Sequence, residues 1–527
     1  MLRRRVERAI KEYDPTQPRV PAGQPEAGRW TTDWQGKMAS FPITAGVQNA
    51  VDRMAAAGHK VYVVGGAVRD FLAGKTPHDI DLATDARPEQ TKSVFAGKVK
   101  FDAGGEAHGM VRVASKGEIL EITTLRHDVE TDGKHAKVTF TTSIIDDLQR
   151  RDLTVNALAF DPTTGKLYGP GPNGDPTQAL ADLKHKIIRF VGDGAIRITE
   201  DLSRATRFVR FATKLHGTPD PASLRAVQQA IAKGQIPDRE RLSNEQVRDD
   251  LLKTLAVPHG NLRLWKESGL LFAYIPELAP AEHQSQNRHH GDVKVLEHIF
   301  RATETVNLPE GDYPAFHDMA EHLDVSPRAA ATAMLRLTML LHDVAKPRTA
   351  AEKPDTPGEY SFIGHEHVGA GMAREIGQRL KLPARMVELI EASVDEHMAV
   401  PHPGTTDVTI RRWGRRVGER FKALREIGLD PVEWLLAVRQ ADWGSLGRVG
   451  HDEGAADIGA DAIRSAMAAT PITSKPPVDG GTVMRLTGMK PGPEIGKIVR
   501  GVGAFIDANP TATQADIEAE ILRLHRG

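Results

Sequence analysis

Cysteine is absent from all 527 residues, which excludes both disulfides and thiolate metal sites. Long apolar runs are missing too. Nothing approaches the ~20 consecutive apolar residues that a helix needs to span a bilayer, so no membrane partner is expected. The first residues, MLRRRVERAIKEYD, are basic but lack the apolar segment of a secretory signal, and the expectation is a cytoplasmic protein. Nor is there an excess of charge of one sign: with a net charge of −1, any RNA contact has to come from local basic surface. Internal repeats and coiled-coil heptads are not found. What remains is ordinary for a globular chain, 40% hydrophobic and 26% charged, and long enough for several separate cores.

The most informative stretch is Val61 to Ala83, VYVVGGAVRDFLAGKTPHDIDLA. Val61 to Val64 is a short β-branched run ending at Gly65-Gly66, which reads as a strand delivering its end into a tight turn. Glycine lets the backbone approach a ligand closely, and amides at the start of the following helix suit a phosphate. Further on, Asp79-Ile80-Asp81-Leu82 alternates polar and apolar. On a strand, both carboxylates then share one face while Ile80 and Leu82 point inward. Two neighbouring acids repel unless a divalent cation lies between them, and Mg²⁺ held by carboxylates and substrate phosphates is the usual chemistry of polymerase sites.

Within EILEITTLRHD, Glu121 alternates with Leu120 and Ile122 and supplies a third carboxylate on one strand face. HDVETDGKHAKVTF is polar and reads as a mobile loop. It leads to DDLQRRDLTVNALAFD, where the paired guanidiniums of Arg150 and Arg151 suit phosphate or sugar contacts. Downstream, Glu200-Asp201-x-x-Arg204 is read as opening a helix with Thr199 as N-cap, so that Asp201 and Arg204 share a helix face. Arg207 and Arg210 extend that face toward phosphate or RNA backbone.

In this order, Gly65, Gly66, Arg69, Asp70, Asp79 and Asp81 resemble the head domain of nucleotidyltransferases of the poly(A) polymerase and class II CCA-adding family. Arg150, Arg151, Asp152 and Asn156 match that family's Arg-Arg-Asp motif, with Leu153 where Phe is common. The resemblance implies Mg²⁺ at Asp79 and Asp81 with Glu121 beside them, and a triphosphate pocket shaped by Gly65, Gly66, Arg69 and Asp70. It implies ribose and phosphate contacts from Arg151, Asp152 and Asn156. Asp201 and Arg204 correspond to the pair that reads the Watson-Crick edge of the incoming base in place of a nucleic-acid template.

A third module contains His298, His342-Asp343, His365, His397 and Asp442. Histidines with a His-Asp pair and a late Asp on helices can enclose one or two metal ions. This set resembles the HD phosphohydrolase superfamily and implies a transition metal, Ni²⁺, Mn²⁺ or Fe²⁺, that activates water on a phosphate ester, with Lys346 contacting the phosphate. A basic run with Trp413 and Phe421, RRWGRRVGERFKALR, is a candidate RNA surface.

The expected fold is α+β and multidomain. It comprises a Pro/Gly-rich extension (1–40), a polymerase-β-like α/β head (41–160), an all-α neck and body (161–285), an all-α HD domain (286–450) and a helical tail (451–527). The expected function is addition of CCA to tRNA 3′ ends from CTP and ATP. Two rivals share the head: an enzyme adding only A or only C, and a poly(A) polymerase, whose usual Gly-Arg-Arg-Phe segment is replaced here by AGGEAHGMV. An inactive RNA-binding or phage-associated scaffold is the rival of a different class.

Overall fold

The computed structural model describes residues 34–526 except 39, 78, 97–98, 101–108, 132–135, 239, 259, 261, 287–292, 403, 446–452, 469–477 and 510–511. Most of the expected extension, and AGGEAH of the segment before the central strand, lie outside the described residues. Trp34–Met38, read from sequence as part of the extension, is a short helix that carries Met38 into the head core. The described residues group into two compact units. One runs to Asp250 and includes Leu264–Tyr274; the other comprises Leu251–Arg263 and everything from Ile275.

The first unit is built on a seven-stranded mixed sheet. Its strands are β1 (Val61–Val64), β2 (Leu82–Thr84), β3 (Val99–Lys100), β4 (Met110–Ser115), β5 (Glu118–Thr124), β8 (Ala159–Asp161) and β9 (Lys166–Tyr168), in spatial order β3-β4-β5-β2-β1-β8-β9. β1 is apolar throughout because both of its faces are covered. Val61 and Val63 join a core with Leu82, Ile122 and Val113, against which α1 (Ala45–Ala56) packs Val47, Val51 and Met54. Tyr62 and Val64 join Leu125, Ile144 and Leu148 on the other face. The Glu118 carboxylate fastens the start of α1 to β5, accepting from Thr44 Oγ1 at 2.6 Å and from the Gly46 amide at 3.0 Å. The parallel register Leu82↔Ile122 is central to function, because it sets the residues before β2 beside Glu121.

The polar stretch after β5 is not the open loop expected. β6 (Arg126–Thr131) and β7 (Ala136–Phe140) form an antiparallel ladder with a bulge between Asp128 and Glu130. Val138 and Phe140 alternate with polar residues, and this β pattern outweighs the overall polarity on which the loop reading rested.

After the head the chain is mainly helical, although β10 (Ile187–Ile188) and β11 (Thr218–Pro219) add a short parallel pair to a region expected to be all-α. The second unit is helical around the apolar helix Pro327–Leu341, whose start is fixed by Ser326 accepting from the Ala329 amide and by Pro327 in the first turn. A two-stranded hairpin, Ala351–Glu352 with Tyr360–Ser361, interrupts it. Trp413 and Phe421 are buried, at 4% and 0% exposure, and face the core, while Arg412, Arg416 and Arg420 of the same basic run are exposed. At the C-terminal end, helices Gly480–Thr487, Pro493–Ala508 and Gln514–Arg526 close around Val483, Ile495, Val502 and Ile521. No helix among the described residues is long and apolar enough to cross a membrane.

Candidate active sites

In the head, β1 ends at Gly65, which has φ 70° and leads directly into α2 (Gly66–Leu72). A side chain there is excluded twice over. The positive φ strains any L-residue, and a Cβ would lie 3.0 Å from Arg151 Nη1. Gly65→Ala is therefore expected to push Arg151 away from the turn and lower nucleotide addition by about 10- to 100-fold, with KM for the nucleotide carrying most of the change. Steady-state kinetics check this.

Arg69, one turn into α2, is buried. Its Nε and Nη2 donate to Asp70 at 2.8 and 2.9 Å, and its Nη1 donates to Asn156 Oδ1 at 2.6 Å. The Arg69-Asp70 and Asn156 motifs, 87 positions apart in sequence, thus make one clamp beside the glycine turn.

Asp79, Ile80 and Asp81 precede β2 in extended chain rather than lying within it, but the alternation holds: Leu82 is buried and Ile80 packs on the core. The Asp81 carbonyl accepts from the Val64 amide at 3.0 Å, which anchors the acids to the end of β1. Asp81 has substantial solvent-accessible area, yet its pKa is raised. Crowding by surrounding protein is the largest cause, the Glu121 carboxylate the next, and Asp79 adds to it against the opposing pull of Arg151. Glu121 is held by Arg112, whose Nε and Nη2 both lie 2.8 Å from Oε1. Glu121 and Asp79 stand near enough to Asp81 to raise its pKa, and their hard oxygens are of the kind that suits a divalent cation, although among the described residues the three do not bring their ligand atoms within 4.8 Å of one another.

Asp147 was not singled out in the sequence, yet it organises the Arg-Arg-Asp motif. Standing at i−3 and i−4 to the two arginines, it accepts from Arg150 Nη2 at 2.7 Å and from Arg151 Nη2 at 3.1 Å. Burial opposes its ionisation, but Arg151 and Arg150 hold its pKa below the ordinary carboxylate value. Asp152 accepts from the Leu153 amide and from Arg207 Nε, each at 2.8 Å, so its carboxylate orients Arg207. Arg210 pairs with Asp250 at 2.7 Å. The guanidiniums of Arg69, Arg207 and Arg210 all stand 4.5 to 5.7 Å from the Phe211 ring, a shared cation–π hub that sequence reading missed.

The Asp201–Arg204 pair differs from expectation. Thr199 lies inside α3 (Gly194–Glu200), with its hydroxyl on the Ala195 carbonyl, and does not cap a new helix. Asp201 is extended (φ −153°, ψ 107°) between α3 and α4 (Ser203–Lys214), and its Oδ1 accepts from the Ser203 amide at 2.9 Å. Arg204 sits in the first turn of α4 and donates to Glu200 Oε2 at 2.5 Å and to the Arg150 carbonyl at 3.0 Å. The interruption of the helix lets Asp201 leave the helix face while Arg204 stays on it. An Asx residue competing for the next backbone amide is the local cause.

In the second unit, all six expected HD residues converge. His298 stands on α5 (Val295–Thr305), His342 and Asp343 follow α6 (Pro327–Leu341), and His365 opens α7 (His365–Arg379). His397 follows α8 (Ala384–Glu396), and Asp442 is on α9 (Pro431–Gly444). Asp343 lies between two groups. Its Oδ2 is 3.2 Å from both His298 Nε2 and His342 Nε2, and its Oδ1 is 3.2 Å from His365 Nε2 and 4.0 Å from His397 Nε2. Asp442 Oδ1 is 3.0 Å from His298 Nε2.

The tautomers follow from the other side of each ring. The Nδ1 atoms of His342, His365 and His397 face the carbonyls of Met339, Phe362 and Val394 at 2.6 to 2.7 Å, and a carbonyl can only accept. His298 Nδ1 faces Ser445 Oγ at 2.8 Å, whose own hydrogen is committed to the Asp442 carbonyl. All four rings therefore aim an Nε2 lone pair inward, with Nε2–Nε2 separations of 3.3 Å (His298–His342) and 3.2 Å (His365–His397). Lone pairs that close need a cation between them, and this outer-atom arrangement is the one that orients metal-ligating histidines. Protonation is the alternative. Burial resists it at His342, but Asp343 and Asp442 push that ring up to about 10, while burial and the neighbouring His342 push His397 down to about 4. His298, His342 and Asp343, and Asp343, His365 and His397, are two buried groups that could each hold a metal ion.

Comparison with known proteins identifies both domains. The poly A polymerase head domain model matches residues 61–189 and the HD domain model matches residues 316–426. An A-adding tRNA nucleotidyltransferase of Deinococcus radiodurans is 32% identical over 473 residues, covering 88% of this chain and 94% of the relative. The chain belongs to the tRNA nucleotidyltransferase family. The mitochondrial CCA tRNA nucleotidyltransferase 1 of Homo sapiens is 40% identical over 226 residues, 42% of this chain and 49% of that protein. Among solved structures, the Bacillus stearothermophilus CCA-adding enzyme in complex with CTP superposes with a TM-score of 0.59 at 23% identity, covering 92% of this chain and 98% of the other. That likeness is one of fold. This tRNA nucleotidyltransferase is thus a transferase with an α/β head, a mostly helical body and an HD domain.

Proposed function

We infer that the chain adds C, C and A to tRNA 3′ ends from CTP and ATP without a nucleic-acid template, in the cytoplasm. The observation that carries this reading is the register Leu82↔Ile122, which sets the Asp79–Asp81 segment beside Glu121 where β1 runs into the Gly65 turn. Asp79 and Asp81 would hold magnesium, and the chemistry it would supply there is activation of the RNA 3′-hydroxyl and neutralisation of the departing pyrophosphate. The amides at Gly65 and Gly66 and the Arg69–Asp70–Asn156 clamp shape the triphosphate pocket. Arg151, fixed on Asp147, and Arg207, fixed on Asp152, present guanidiniums to phosphate and ribose. Asp201 and Arg204 offer an acceptor and a donor fork to the edge of the incoming base.

Arg204→Ala is expected to lower discrimination between CTP and ATP by about 10-fold or more while leaving Mg²⁺ dependence intact. Competition between the two nucleotides on one tRNA measures it. Unchanged discrimination would restrict Arg204 to its contacts with Glu200 and Arg150.

The HD cluster supports a second activity, hydrolysis of a phosphomonoester or cyclic phosphodiester. The four histidines and Asp343 would hold a transition ion, and the chemistry it would supply is a bound water of lowered pKa and a polarised phosphate. Addition of A alone is a second reading of the head, favoured by the likeness to the Deinococcus relative along nearly its whole length. Incubation with Mg²⁺, CTP, ATP and a tRNA transcript lacking its 3′ CCA tests the main reading. A product three nucleotides longer supports it; long A tails, or no extension, would overturn it.

A further inference from the structure

Beside the HD cluster stands a polar group with no assigned role. Gln286 is buried, at 6% exposure, and so is Lys346, also at 6%. Lys346 Nζ lies 2.6 Å from Asp343 Oδ2 and donates to Gln286 Oε1 at 3.1 Å. An ammonium can only donate, so Lys346 fixes which end of the amide it meets: the oxygen. The amide nitrogen is thereby turned elsewhere, and Gln286 Nε2 is buried without a hydrogen-bond partner among the described residues. Burying an unsatisfied donor is destabilising. Methionine would fill the same volume without that penalty.

We propose that Gln286 is a substrate-binding residue of the HD centre, its Nε2 donating to a non-bridging phosphate oxygen of the ester bound there. This inference rests on the phosphohydrolase reading of that centre. The chemistry is complementary: a phosphate oxygen only accepts, Nε2 only donates, and Lys346 beside it supplies positive charge and holds the amide in the donating orientation. An apolar ligand would have no use for a lysine-oriented amide donor next to a buried carboxylate. Gln286 touches Lys346, which touches Asp343, so the amide stands two contacts from the ligand that bridges both histidine pairs.

The test uses the full chain loaded with Mn²⁺ or Ni²⁺, and the variants Gln286→Glu and Gln286→Met. Gln286→Glu keeps an oxygen toward Lys346 and replaces the donor by an acceptor; Gln286→Met removes both polar atoms at similar volume. Binding of inorganic phosphate is read by calorimetry and metal content by elemental analysis. Hydrolysis of p-nitrophenyl phosphate and of a 2′,3′-cyclic nucleotide is read separately. Both variants are expected to retain wild-type metal content and tRNA extension, and Gln286→Met to melt no lower than wild type, while phosphate affinity falls and the ester KM rises at least 10-fold. Gln286→Glu should be affected more, because its oxygen faces another oxygen. Unchanged phosphate affinity and KM in both variants would overturn the proposal. Loss of metal in both would overturn it too, by making Gln286 a support of the metal site. If the wild-type metal-loaded chain neither binds phosphate nor hydrolyses either ester, the phosphohydrolase reading itself fails, and the proposal falls with it.

Discussion

Asp81→Ala is expected to abolish nucleotide addition, with kcat falling on the order of 10³-fold or more, while hydrolysis at the HD cluster persists. The size follows from the chemistry asked of the position: metal-assisted stabilisation of phosphoryl-transfer charge is worth several kcal/mol, and about 4 kcal/mol is about 10³ in rate. The raised pKa of Asp81 shows that its charge is unfavourable where it stands, beside Glu121 and Asp79. Removing it should therefore not unfold the head. Its backbone carbonyl, which pairs with Val64, is unaffected by the substitution. Extension assays across a Mg²⁺ titration, with circular dichroism as a control for folding, check the effect. Wild-type addition by the variant would remove Asp81 from the metal site. A shifted Mg²⁺ requirement with a partly recovered rate would still place the carboxylate there.

Asp343→Asn is expected to produce the converse result. Among the described residues, Asp343 is the one carboxylate within 4.0 Å of all four inward histidine nitrogens, and asparagine keeps its shape but loses the charge. Bound transition metal should fall to background and phosphoester hydrolysis with it, whereas CTP and ATP incorporation should remain within about two-fold of wild type. Stability should fall as well, since Lys346 would be left buried without its anion, a loss of about 3–5 kcal/mol when one partner of a buried pair is removed. The melting temperature of the second unit reports that loss, and elemental analysis reports the metal. Retention of metal at wild-type stoichiometry would mean that the histidines bind it without the bridge.

Much of this architecture is legible in the sequence because its signals are local and chemically unusual. A β-branched run stopped by two glycines, two acids in alternation with apolar residues, and a His-Asp pair after an apolar helix each restrict what the segment can be. The parts that are not legible depend on partners distant in the chain, or on one residue that overrides a pattern. Asp201 interrupts what periodicity reads as a continuous helix, because its side chain captures the Ser203 amide. The β6–β7 ladder was masked by its own polarity. Phe211 reads as a core residue at helical spacing, and only the fold shows that it gathers Arg69 from the glycine-turn helix with Arg207 and Arg210 from its own. Gln286 carries no sequence signal at all; its interest comes from the lysine that orients it. Asp147 could have been found, since an acid three and four residues before an arginine pair on a helix is a recognisable ion-pair spacing.

The account rests most directly on the claim that one head adds both kinds of nucleotide. The deciding measurement is extension of a tRNA ending at the position before CCA, with Mg²⁺ and CTP as the only nucleotide, resolved to single-nucleotide length. Two additions, followed by a third when ATP is supplied, are the predicted result. No addition with CTP, together with a single A added to a tRNA already ending in CC, would contradict it and make this chain an A-adding enzyme.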